Sequence, residues 1–400
     1  MPDNTSPAAN PLPQGTALVL LGGGARTAYQ AGVLGGIGEV LQAQGWPAQR
    51  NPFPVVCGTS AGAINAAYYA SRCTDWPQAL RTMQTLWSTL QAHEVFEVGT
   101  LHLLRGGLRW LGLMAFGWLW KQNPRALLDN TPLADTLGRL LHFDAVDAAI
   151  QSGALRALSV ATSSYTSGRH ITFFQAQADV QPWRRPGLWG IAQPIGVEHL
   201  LASSALPFVF PATPLWGEAG PEYFGDGAMR QLAPLAPAIH LGAQRAVAIG
   251  VAEPHPQAGA VRTHLPPYPS VAEIAAHAMS SVFLDTLRAD AQQAGRLNRM
   301  LADLPGDVRA SLPYRPLPTL TLLPSKSINA VAARHWHTMP RSARLLLQSV
   351  GMGAGSGAAL ASYLLFTPDY LDALVQLGRA DALAQREIIA AFFAETGPAG

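Results

Sequence analysis

Charge is scarce in this 400-residue chain: Asp, Glu, Lys and Arg together make up 13% of it, and the formal net charge is +2. A chain so balanced has no broad field with which to recruit nucleic acid. Lysine is nearly missing, with Lys121 and Lys326 the only two, so the positive charge is carried by arginine, whose planar fork suits phosphate contacts. Cysteine is also sparse. Cys57 and Cys73 are the only pair, too few for a disulfide framework and without the Cys/His spacing of a metal site. Cys57 lies in an apolar run and reads as a buried thiol in a reducing compartment. Long hydrophobic runs are missing too: no stretch reaches eighteen uncharged apolar residues, which excludes a transmembrane helix as a sequence expectation. The segment Met1–Gln14 is polar, carries prolines and lacks a basic n-region. It reads as a disordered lead rather than a secretory signal. The expected location is cytoplasmic, either soluble or peripheral on a membrane.

Apolar residues make up 48% of the chain, enough for a large buried core. Thr16–Leu21 (TALVLL) reads as a buried parallel strand ended by glycines, followed by an alanine-rich helix from Thr27 to Gln44. Pro54–Cys57 is a second short strand, running into a small-residue helix over Ala61–Ser71. Further helices are expected at Trp76–Leu90, Leu133–Leu141 and Val197–Ser204, with strands at Leu155–Ala161, His170–Phe174, Ala246–Val251 and Leu317–Leu323. Residues 253–270 read as a Pro- and His-rich loop, 271–303 as helical, and 328–395 as helical with a glycine-rich break at 351–357. Strands alternating with helices predict an α/β fold with a central, mainly parallel sheet.

Three short segments carry chemistry. Gly58-Thr59-Ser60-Ala61-Gly62 is a G-x-S-x-G with a strand leading in and a helix leading out. This is the context of a nucleophile elbow, in which Ser60 occupies a strained turn at a helix N-terminus that favours developing negative charge. The rival is a plain tight turn with Ser60 as helix N-cap. Gly22-Gly23-Gly24-Ala25-Arg26 follows the first strand and could expose backbone N–H groups to an oxyanion. As a phosphate loop it lacks the Gly-Lys-Ser/Thr signature, and as a dinucleotide loop it has Thr27 where the third glycine belongs. Gly225-Asp226-Gly227-Ala228 sets one carboxylate between two glycines, where nothing bulky would keep it from a serine, although an Asp-Gly pair alone more often marks a turn.

Taken together these segments resemble the patatin-like phospholipase family. The resemblance runs through GGGAR at 22–26, GTSAG at 58–62 and DGA at 226–228, and extends to ASSALPFVFPA at 202–212 and YFGDGAMRQLAPLAPAIHLGA at 223–243. The C-terminal helical stretch is similar to that of bacterial members. The resemblance implies a three-layer α/β fold with a helical C-terminal extension. It implies a Ser–Asp dyad carried by Ser60 and Asp226, an oxyanion hole from Gly22, Gly23 and Gly24, and Arg26 bracing the loop, with no cofactor and no metal. Thr27 departs from the pattern, where members often have glycine. The expected organisation is a disordered lead over 1–14, a catalytic core over 15–255 and a helical region over 256–400 packed on that core.

The implied activity is hydrolysis of fatty acyl esters of glycerolipids or phospholipids, with no nucleic-acid partner. The rivals are an esterase or thioesterase on soluble acyl substrates and a catalytically idle lipid-binding partner. A conventional triad is a further alternative, because His240, His255, His264, His277, His335 and His337 all follow the acid in chain order. Finally, residues 101–120 (LHLLRGGLRWLGLMAFGWLW) are apolar but too short to span a bilayer, with Leu103, Trp110, Met114 and Trp118 on one helical side and Arg105 and Arg109 together. This segment, including Trp120, reads as a lid over an acyl channel or as a membrane contact.

Overall fold

The computed structural model describes residues 15–97, 126–254, 286–341 and 358–394, together with Tyr268 and Arg344. The chain starts with β1 (Thr16–Leu20), then α1 (Ala28–Ala43), β2 (Val55–Thr59), α2 (Ala61–Ala70) and α3 (Trp76–Thr89). After α4 (Thr131–Leu140) and α5 (Phe143–Gln151) come β3 (Ala157–Ser164), β4 (His170–Ala176), β5 (Trp183–Arg185) and β6 (Leu188–Ala192). The helix α6 (Val197–Ser203) leads into a hairpin of β7 (Thr213–Gly217) and β8 (Gly220–Asp226), followed by α7 (Ala236–His240) and β9 (Arg245–Ile249). The remainder comprises α8 (Thr286–Ala302), α9 (Gly306–Ser311), β10 (Thr319–Leu322), α10 (Ile328–His335), α11 (Ala358–Leu364), α12 (Pro368–Ala384) and α13 (Arg386–Ala394).

Among the described residues ten strands form one sheet, ordered β10-β9-β1-β2-β3-β4-β6-β5, with β8 added at the end of β3 and β7 on β8. The strands from β10 to β3 run parallel, while β4, β8 and β7 enter antiparallel. The apolar run of β1 is buried on both faces, as a central parallel strand requires. Leu18 and Leu20 point into one core with Val56 and Leu158, beneath α1, α2 and α3. Ala17 and Val19 point into a second core with Val55 and Cys57, beneath α7 and Leu287 of α8. Helices cover both faces, which makes three layers.

The C-terminal helices join the first core through α1. A Cβ on Gly32 would lie 2.0 Å from the Val375 carbonyl oxygen, and one on Gly378 would lie 2.1 Å from that of Tyr29. Only paired glycines let the α1 and α12 backbones touch. Tyr29 also donates its hydroxyl to Asp381 at 3.1 Å. Among the described residues no helix is long and apolar enough to cross a membrane. The expected lead at 1–14, the lid segment with Trp110, Met114, Trp118 and Trp120, most of the expected loop at 253–270 and the glycine-rich break at 351–357 lie outside the described residues.

Candidate active site

The carboxyl ends of β1 and β2 lie side by side, with Leu20 paired to Gly58. Open α/β sheets place their ligands at that edge. The turn between β2 and α2 holds Ser60 at φ 55° and ψ −135°, a left-handed conformation that costs a non-glycine residue about 1–3 kcal/mol. Two contacts hold it there. Ser60 N–H donates to Ser203 Oγ at 2.9 Å, and Ser203 Oγ donates to the Ala161 carbonyl at 2.6 Å. The Ser60 side chain makes no helix-capping bond, which sets aside the simple N-cap. Its hydroxyl instead donates to Asp226 Oδ2 at 2.6 Å.

Asp226 ends β8, where Thr162 of β3 is its register partner. Its other oxygen, Oδ1, accepts the Ala228 N–H at 2.9 Å. A Cβ on Gly227 would lie 2.2 Å from the Ala161 carbonyl oxygen, so the turn lies flat against β3. The carboxyl group is completely buried, and burial raises its pKa from 3.8 to about 7 against the lowering effect of the Ser60 and Ala228 hydrogen bonds. It is therefore a carboxylate poised to exchange a proton near neutrality. Behind it, His170 hydrogen-bonds the backbone of Gly227, and burial lowers the imidazole pKa to about 4, so the ring stays neutral. Among the described residues no histidine bonds Ser60 or Asp226. His240 stacks on Trp183, and His335 Nδ1 lies 3.0 Å from the Val331 carbonyl oxygen. His255, His264 and His277 lie outside the described residues.

The glycine-rich loop passes directly over the serine. A Cβ on Gly22 would sit 2.6 Å from Ser60 Cβ, so only glycine fits. Among the described residues no acceptor takes the N–H groups of Gly22, Gly23 or Gly24, whereas Arg26 N–H is used by the Gly23 carbonyl at 3.1 Å. Ala25 is buried in the short helical turn Gly24–Thr27. The Thr27 hydroxyl donates to the Gly24 carbonyl at 2.7 Å, so this departure from glycine tightens the turn.

Arg26 reaches away from the serine. Its Nε donates to Ser362 Oγ at 2.7 Å, and its Nη2 donates to Asn329 Oδ1 at 2.6 Å and the Ala359 carbonyl at 3.2 Å. The guanidinium stacks over Tyr363, and Glu253 is 3.8 Å away. The loop is thereby fixed to α10 and α11. A second buried network holds it from beneath. Gln30 Nε2 donates to the carbonyls of Leu21 and Ile249, and Asn65 Nδ2 donates to Gln30 and to the Thr27 carbonyl. Asn65 Oδ1 accepts the Trp87 indole N–H at 2.7 Å. Sequence reading missed Ser203, Gln30, Asn65 and Gln231, the last of which donates to Thr59 Oγ1 at 2.7 Å. For Ser203, Gln30 and Asn65 the one available signal was polarity inside largely apolar helical text, and Gln231, in the loop after the aspartate turn, had none.

Ser60 and Asp226 open into a cavity of about 80 Å³ whose walls come largely from α2, α3 and α4. Ile64, Leu86, Leu90, Val95, Leu133 and Leu137 make it almost wholly apolar away from the Ser–Asp pair. Among the described residues no group of three or more His, Cys, Asp or Glu side chains could hold a metal ion. A hydroxyl hydrogen-bonded to a buried base, N–H donors and an apolar slot can together carry out acyl transfer.

A solved structure similar to the chain is VipD from Legionella pneumophila, at 13% sequence identity and a TM-score of 0.33, covering 94% of this chain and 67% of that one. No curated protein matches. The family model described as patatin-like phospholipase matches residues 18–239, which takes in the glycine-rich loop, the serine elbow and the aspartate turn alike. By that match the chain belongs to the patatin-like phospholipase family.

Proposed function

We propose that the protein hydrolyses fatty acyl esters of glycerolipids, with Ser60 as nucleophile and Asp226 as general base. The observation that carries this reading is the 2.6 Å hydrogen bond from Ser60 to a buried carboxylate at the end of an apolar cavity. Ser60 Oγ attacks the ester carbonyl carbon as Asp226 Oδ2 takes its proton. The carbonyl oxygen becomes an oxyanion within reach of the Gly22, Gly23 and Gly24 N–H groups. Collapse of this intermediate breaks the ester C–O bond, and Asp226 returns the proton to the departing alkoxide. Water then attacks the acyl-serine, giving its proton to Asp226, and the fatty acid leaves as Ser60 recovers its hydrogen.

The apolar cavity supports an acyl chain over a short polar substrate, and so favours lipid over the soluble esterase or thioesterase reading. Residues 101–120 serve in this reading as the lid or membrane contact that governs entry of long chains, with 15–255 as the catalytic core. Ser60→Ala tests the assignment. It should abolish labelling by a fluorophosphonate probe and hydrolysis of a mixed phospholipid, lysophospholipid and triacylglycerol panel, with circular dichroism unchanged. Retained turnover would remove Ser60 from the mechanism.

A further inference from the structure

The β7–β8 hairpin places apolar side chains where a soluble protein seldom leaves them. Its register sets Pro214 opposite Tyr223 and Trp216 opposite Pro221. Alternation puts all four on one face and turns Leu215 and Glu222 to the other, where both are buried. The outer face is open: Trp216 is 71% and Tyr223 59% exposed, with both prolines exposed between them. Tyr165 adjoins the face, donating its N–H to the Tyr223 carbonyl at 2.8 Å, and is itself exposed. A contiguous aromatic and proline surface of this kind marks an interaction site rather than scattered surface apolarity.

The hairpin also stands at the catalytic edge. β8 pairs with the last residues of β3, Ser164 with Phe224 and Thr162 with Asp226, so Gly220–Tyr223 run on beyond the carboxyl end of the parallel strands. At about 3.3 Å per residue, the tip stands roughly 20 Å out from Asp226.

We infer that this face is a docking surface for a phospholipid interface, an inference that rests on the lipid hydrolase reading above. Trp and Tyr prefer the headgroup region, where an apolar ring and one polar atom are both satisfied. The charge pattern fits. Glu218 is paired with Arg184, Glu222 turns inward to accept from Ser164 and Ser167, and Asp226 is buried, so no carboxylate of the hairpin is left bare to repel phosphate. Arg230, four residues past Asp226, is exposed with its guanidinium by the β3–β4 turn and makes no ion pair among the described residues. A protein strand adding to the edge is disfavoured, because Pro214 and Pro221 deprive both outer edges of a backbone donor.

The test uses the full chain carrying Ser60→Ala, so that lipid stays intact, with vesicles of phosphatidylcholine and a minority of phosphatidylglycerol. Adding Trp216→Ser and Tyr223→Ser should lower co-sedimentation by about tenfold. In the Ser60 protein the same pair should leave hydrolysis of a soluble short-chain ester within about twofold, because neither side chain touches the reacting groups. Cys57 and Cys73 are buried, so Trp216→Cys in the Ser60→Ala chain supplies an exposed thiol for an environment-sensitive fluorophore. Its emission should shift to the blue on adding vesicles, which reads docking without removing the rest of the face. Equal sedimentation with and without the two serines, or an unshifted label, would overturn the inference and turn attention to a protein partner. Failure of the Ser60 protein to hydrolyse any ester would sink the hydrolase reading while the sedimentation result still stood.

Discussion

Replacing Asp226 with asparagine should kill the enzyme and stabilise it in the same stroke, and the two effects have different dependence on pH. Burial holds the Asp226 carboxyl near 7, against an ordinary value of 3.8. Between those values the folded protein retains a proton that the unfolded chain has released. The stability from the raised pKa is therefore fully present below pH 3.8 and lost as pH rises through 7. Three pH units correspond to about 4 kcal/mol by the end of that window. Asparagine carries no charge at any pH. Its oxygen can still accept from Ala228, and its amide can donate to Ser60, so the hydrogen-bonding change contributes a nearly constant offset. The unfolding free energy of Asp226→Asn minus that of the native protein should climb by about 1.4 kcal/mol per pH unit between pH 4 and 7, then level off. Urea unfolding at pH 5, 6, 7 and 8.5 measures it directly. A difference that stays flat across that series would mean the carboxyl is not held near neutrality, and the reasoning from burial would fail. Ester hydrolysis should fall by about a hundredfold or more at pH 8.5, because an amide cannot take the serine proton, and the gap to the native protein should narrow at lower pH, where the native carboxyl is itself protonated.

Three further outcomes follow from the same geometry. In the native protein kcat/KM on a soluble ester should rise with pH through about 7, where Asp226 becomes the carboxylate that the attack requires; a level profile from pH 5 to 8.5 would contradict the base. Arg26→Met should cost about 3 kcal/mol, since it removes the hydrogen bonds from a buried guanidinium to Ser362, Asn329 and the Ala359 carbonyl, and should lower kcat more than it changes KM; thermal unfolding and kinetics on one preparation check both. Trp118→Ser with Trp120→Ser should weaken hydrolysis of vesicle lipid about tenfold while sparing a short-chain ester, and equal loss on both would remove the segment as a gate.

How much of this was legible depends on how local each feature is. The elbow was readable because strand, Gly58, Ser60 and helix are neighbours in sequence, and β2 and α2 fall within two residues of the expected bounds. The buried strands β1, β3, β9 and β10 were readable from short apolar runs for the same reason. Asp226 was not legible by its own text, because Asp-Gly reads as a turn, and only the family resemblance singled it out. The strand that delivers it went unread because Pro221, Glu222 and the flanking glycines break a strand pattern, and the hairpin tolerates them only by lying past the edge of the sheet. The mixed direction of the sheet beyond β3 depends on pairings between distant residues, which composition does not encode. Ser203 is polar within an apolar helical stretch, and its purpose appears only once Ala161 and Ser60 flank it.

The Arg26 anchors lie far along the chain: Asn329 is 303 residues downstream and Ser362 is 336. A ribosome adding about 10 residues per second takes on the order of half a minute to cover that distance. In the course of that time the glycine loop, the serine elbow and then the aspartate are made, while the guanidinium that fixes the loop gains its partners only late, Asn329 before Ser362. A chain cut short before α11 would carry both Ser60 and Asp226 and keep Asn329 against Arg26, yet lack the Ser362, Ala359 and Tyr363 side of that grip. In the proposed mechanism the donors that meet the oxyanion would therefore be fully set only once residues as distant as Ser362 have been made.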